Sequence, residues 1–268
     1  MLSAGARVPW RAPGRLRSPR RPPGAAGVRA CRVPVLRRGQ ADGGEEKDED
    51  RGEPRTLVED VEAAPREAVL RVCLSSTAVM AAVGLGARAA AHGMMGAGAI
   101  PVGMDLAASL PFLPASEATP GAVAAGLAAG LAVTAVRFAL LQSGVWPDFR
   151  DETDASNARV LPALNPLDLA VVALLPAWSE EVLFRGVLLP ALGGGPVGVV
   201  ASGAAFGVLH RGGGRGWAFA GWATGVGCLY GATAVAYHAL LPAALAHGVG
   251  NLSSAALWRA LRGGNPQA

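Results

Sequence analysis

Six stretches of the chain stay apolar for about the depth of a bilayer: 69–91, 120–142, 167–191, 194–210, 216–236 and 238–258. A bilayer core takes ~20 mostly apolar residues per helix, so each reads as a helical span, with 194–210 the shortest. Residues 93–117 are also apolar, but Pro101, Asp105, Pro111 and Pro114 interrupt them. They read as a loop, a re-entrant segment or a broken helix, which a membrane protein tolerates only where protein buries it. The expected fold is therefore all-α: a polytopic transmembrane helical bundle of about six to seven spans.

Composition agrees with this pattern. Half the residues (51%) are hydrophobic, only 16% are charged, and 37 are Gly, a profile that suits membrane helices better than a soluble enzyme. Three cysteines, without a Cys-x-x-Cys pair, exclude a disulfide scaffold and a thiolate zinc site.

Charge divides the chain into zones. Residues 1–40 hold ten Arg and no Lys, Asp or Glu. With no apolar secretory core, this reads as an organelle transit peptide, the alternative being a basic arm for acidic lipid or nucleic acid. No nucleic-acid module follows, so no nucleic-acid partner is expected. Residues 42–67 hold eleven acidic residues against four basic ones and read as a solvated linker. The expected organisation is a disordered transit segment over 1–41, the acidic linker over 42–67, membrane helices and a loop over 68–160, a motif-bearing membrane core over 161–262, and a tail over 263–268.

Six spans put both termini on one side of the membrane. Arg150, Arg159, Arg211, Arg215, Arg259 and Arg262 then share that side, and Arg88 alone lies near the other. The asymmetry follows the positive-inside rule. The spacings Gly126-x3-Gly130, Gly221-x3-Gly225 and Gly227-x3-Gly231 read as helix-packing contacts. The Gly runs at 193–195 and 212–214 read as turns.

The informative residues are the polar ones inside apolar helices, since these usually face a bundle interior and mark function. Glu180, Glu181 and Arg185 share one helix. Arg185 lies about 40° around the helix from Glu181 but about 140° from Glu180, so it should pair with Glu181 and leave Glu180 free. The helical neighbours of Glu180 are Ala177, Leu183, Phe184 and Val187, an apolar setting that disfavours a carboxylate's charge. Such a carboxylate suits a general base for water. His210 ends the next apolar helix. His247 and Asn251 sit four apart on one face of the last, and both can donate hydrogen bonds to an oxyanion. Singly, each reads as a packing or bridging residue; together they read as a site. His92 and His238 stand outside it.

At these residues the chain resembles the CPBP family, the CAAX prenyl endopeptidase and bacteriocin-processing membrane proteins. The family's three motifs read here Glu180-Glu181-Val-Leu-Phe-Arg185, Phe206-Gly-Val-Leu-His210 and His247-Gly-Val-Gly-Asn251. The resemblance covers about 165–260 and implies an intramembrane glutamate-type endopeptidase without cofactor or metal. It implies that Glu180 and His210 activate water and that His247 and Asn251 stabilise the oxyanion. Glu181 and Arg185 would brace the site, and Phe206 would pack beside it. The substrate would be a membrane-embedded protein or peptide within the lipid bilayer. The stretch PAWSEEVLFRG, with the N-terminal arm, looks most like plastid members, implying a multi-pass protein of the thylakoid or inner envelope membrane. Two other readings compete: a non-catalytic scaffold or chaperone in thylakoid biogenesis or chlorophyll metabolism, and a metalloprotease with Glu180, His210 and His247 as zinc ligands.

Overall fold

The computed structural model describes residues 61–96 and 119–263, all in helices and their connections apart from one isolated bridge between Gly212 and Arg215. The expected transit segment, most of the acidic linker and nearly all of the interrupted stretch 93–117 lie outside the described residues.

Helix α1 runs over Arg66–Gly96, beginning two residues inside the stretch expected to be linker. Arg66 fixes that start, its Nε and Nη2 donating to the two carboxylate oxygens of Asp168 at 2.6 and 2.7 Å. Helix α2, Pro120–Ser143, has sharp ends. Thr119 accepts a hydrogen bond from Ala122 N, proline occupies the first turn, and Gly144 at φ 67° stops the helix.

Helix α3, Pro147–Val160, is short and polar and was not among the expected spans. It anchors through Phe149 and Thr153, four apart on one buried face. Phe149 packs between Trp146 and Trp222, with ring centroids 5.2 and 5.3 Å away. Helix α4, Pro166–Leu183, opens with a capping box. Asn165 Oδ1 accepts from Asp168 N at 2.8 Å, and Asp168 Oδ2 accepts from Asn165 N at 3.0 Å. It continues through a π-helical turn, Phe184–Leu188, into a last turn at Leu189–Ala191.

Helices α5 (Pro196–Leu209), α6 (Trp217–Tyr237) and α7 (Leu240–Gly263) complete the bundle. Glu152 of α3 caps α6, accepting from Phe219 N at 2.7 Å, where the positive end of a helix favours a carboxylate. His238, at φ 48°, breaks the chain between α6 and α7, so it does not share a helix with His247. Both glycine runs are turns, with Gly193, Gly194 and Gly212 to Gly214 all at positive φ.

Six of the seven helices among the described residues coincide with the six expected spans. Two of them, over Arg66–Ala91 and Pro120–Ser143, are long and apolar enough on their own to cross a bilayer. Polarity is arranged inside out, as in a membrane protein. Val72, Val79, Leu131, Val136, Val200 and Leu209 face outward, whereas Glu180, Glu181, Arg185 and His247 are buried. The fold is an all-α membrane bundle.

Packing places the site. Helix α7 lies against α2 and α4, α5 against α6, and α1 against α4. The α2–α7 approach depends on Gly126 and Gly130, where a Cβ atom would stand 2.7 Å from the carbonyl oxygens of Pro242 and Ala246. Gly225 faces open space, so the Gly221–Gly225 pair makes no such contact. Arg88, near the other membrane side, points into the bundle. It is buried, and its Nη1 donates to the carbonyl of Gly186 at 3.1 Å. Pro190, four residues on, has no N–H for that carbonyl.

Candidate active site

Helix α4 delivers two adjacent glutamates, and the helix turn sends them to different partners. Arg185 Nη1 donates to Glu181 Oε1 at 2.8 Å, the pairing that the four-residue spacing predicts. The guanidinium is fully buried. Its Nη2 donates to the carbonyl of Gly227 at 2.6 Å, and its Cζ lies 4.7 Å from the centroid of the Phe206 ring. The same Oε1 of Glu181 lies 2.8 Å from His247 Nδ1. A carboxylate oxygen paired with arginine can only accept, so His247 Nδ1 carries the proton. Glu181 thus binds α4 to α7 and fixes the histidine's tautomer.

Glu180 has a different surrounding. It is 9% exposed, and its Oε2 has no hydrogen-bond partner among the described residues. Two imidazole nitrogens approach that oxygen: His210 Nε2 at 3.5 Å and His247 Nε2 at 3.9 Å. His210 Nδ1 lies 2.7 Å from the carbonyl of Phe206, its own residue i−4, and must donate to it. The Nε2 of neutral His210 therefore presents a lone pair toward Glu180. Helix α5 sets this position. At 14 residues it extends about 21 Å, too short to cross a ~30 Å core, and His210 is its C-cap.

The structure brings together Glu180, Glu181, Arg185, His210 and His247. Phe206 packs among them, its ring edge-on to Phe184 and 4.1 Å from the His210 ring. Asn251 is turned aside: its Nδ2 donates to the carbonyl of Ala173 on α4 at 3.4 Å. Two further residues contribute: Tyr230, not singled out from sequence, and Gly227, read there only as a helix-packing glycine. Tyr230 stacks on His247 with centroids 4.9 Å apart and planes at 23°. Gly227 supplies the carbonyl that holds Arg185, and a Cβ there would stand 3.2 Å from Arg185 Nη2. A sequence signal existed for each: a tyrosine inside an Ala/Gly-rich helix, and the Gly227-x3-Gly231 spacing. Among the described residues Ser179 bonds only to the helix carbonyl of Pro176, and Ser253 bridges to Thr134 at 2.6 Å.

Among the described residues no group of three His, Cys, Asp or Glu side chains is arranged to hold a metal ion. What the centre offers chemically is a buried carboxylate oxygen beside an imidazole lone pair, next to a second, carboxylate-oriented imidazole. Such a centre within apolar helices defines a helical membrane protein with a buried carboxylate–imidazole cluster. Residues 162–253, which include all three motifs, match the family model described as type II CAAX prenyl endopeptidase Rce1-like. Through this segment, about a third of its length, the chain is similar to the CPBP family. No curated protein and no solved structure matches it.

Proposed function

We propose that the chain is an intramembrane endopeptidase that hydrolyses a peptide bond of a membrane-embedded protein or peptide, with Glu180 and His210 activating the water. The single observation that carries this is the buried Oε2 of Glu180, unpaired among the described residues and facing two imidazole nitrogens. An idle carboxylate in such a place costs stability and returns nothing. A water between Glu180 Oε2 and His210 Nε2 would donate one hydrogen to each. Its oxygen would then be free to attack a peptide carbonyl as Glu180 takes a proton.

Attack opens the carbonyl to a tetrahedral oxyanion. Collapse breaks the C–N bond, and the departing amine takes the proton from Glu180. His247 faces the same oxygen through Nε2 but already donates through Nδ1, so it stabilises an oxyanion as the imidazolium, supported by the Glu181 carboxylate. Asn251 would join only after releasing Ala173. The Arg-rich, acid-free N-terminal segment supports delivery to a plastid membrane, thylakoid or inner envelope.

The test is complementation of a deletion strain with the wild-type chain, Glu180→Ala and His210→Ala, at equal membrane abundance. Rescue by wild type alone, with an uncleaved membrane peptide accumulating in both variants, is the expected result. Rescue by Glu180→Ala would turn the reading to a scaffold whose motif does no chemistry.

A further inference from the structure

A cavity lies away from the carboxylate–histidine centre, between α2, α3 and α7, with a volume of about 260 Å³. Arg137 of α2 and Arg150 of α3 line it. Neither guanidinium makes a hydrogen bond or ion pair with another described residue, and the ring of Phe219, 5.7 Å from Arg137, is the contact Arg137 has instead. Asp154 is the one carboxylate in the lining, and its Oδ1 accepts from Trp258 Nε1 at 3.0 Å. Two arginines against one aspartate leave the lining at +1. A guanidinium set into a membrane helix is costly unless an anion or water meets it, and its planar fork matches a phosphate better than a halide or a water.

We propose that this cavity binds the phosphate headgroup of an anionic bilayer lipid, seated between Arg137 and Arg150. Its location argues for a lipid rather than a free anion. It lies among the last turns of α2 and α7, on the side of the membrane that carries most of the loop arginines. Phe138 and Leu261, 36% and 57% exposed, form apolar walls beside it, suited to acyl chains. A phosphate there would tie α3 to the two helices that it bridges. One of these, α7, carries His247 a few turns earlier.

The experiment extracts the full chain from vesicles of equimolar phosphatidylglycerol and phosphatidylcholine and counts retained lipid by native mass spectrometry. The expected result is one phosphatidylglycerol per chain, enriched at least tenfold over phosphatidylcholine. In Arg137→Gln/Arg150→Gln the enrichment falls to near unity. Arg150→Gln alone, on the short surface helix, is expected to lower it several-fold with helical circular dichroism unchanged, which separates lost binding from lost folding. Equal retention of the two lipids overturns the proposal. So does enrichment that survives the double substitution, or displacement of the lipid by millimolar inorganic phosphate, which would make the cavity a site for a free anion.

Discussion

Glu181 Oε1 lies 2.8 Å from His247 Nδ1 and equally close to Arg185 Nη1, so one oxygen joins the bracing arginine to the histidine that faces Glu180. Glu181→Gln keeps an acceptor there but removes the charge that supports a His247 imidazolium. The expected outcome is a kcat lowered by about 10²-fold, the size of a lost oxyanion donor, with KM little changed. Steady-state cleavage of a reporter peptide in proteoliposomes checks it. An unchanged kcat would mean that His247 serves only to pack against Tyr230.

The two neighbouring glutamates should separate cleanly on stability. Glu180→Gln removes a carboxylate with no described hydrogen-bond partner at Oε2, so the folded protein should be as stable as wild type or more so. Its activity should fall by about 10²–10⁴-fold, the range of a general base. Glu181→Ala strands a fully buried Arg185, and breaking a buried pair of this kind costs about 3–5 kcal/mol. Thermal unfolding in detergent, beside the cleavage assay, distinguishes the two. Equal destabilisation by both substitutions would give Glu180 a structural role.

Much of this was legible because it is local. The Glu181–Arg185 pair follows from helical spacing alone, and the six apolar runs became six helices. What was not legible depends on tertiary contact. Helix α3 has too few apolar residues to announce itself, yet Phe149 and the cap from Glu152 fix it against α6. Arg88 engages Gly186, on the π turn after Leu183, from 98 residues away. The approach of His210 to Glu180 is set by how short α5 is. The direction of Asn251 is set by a carbonyl on another helix, which no spacing within HGVGN encodes.

Gly130 offers a test of how α7 is held. A methyl group there would stand 2.7 Å from the Ala246 carbonyl, next to His247. Gly130→Ala should therefore push α7 from α2 and cost about 1–3 kcal/mol, the usual range for overpacking. Because His247 moves with α7, activity measured below the unfolding transition should also fall. Gly225→Ala meets open space and should leave both properties near wild type. A Gly130→Ala protein of wild-type Tm and activity would show that the helices have room to separate without disturbing the site.

Removal of metal tests the water-activating assignment from another direction. A tetrahedral zinc with ligands at ~2.0–2.2 Å sets its donor atoms about 3.4 Å apart. Glu180 Oε2 lies 3.5 Å from His210 Nε2, close to that spacing, but 3.9 Å from His247 Nε2, and no described set of three side chains is arranged for an ion. Glu180 acting as a base needs no ion, so dialysis against a strong chelator should leave the cleavage rate unchanged, with less than one equivalent of zinc per chain in the active protein. Loss of activity on chelation, restored by stoichiometric zinc and absent from His210→Ala, would instead make Glu180, His210 and His247 ligands and their bound water the nucleophile.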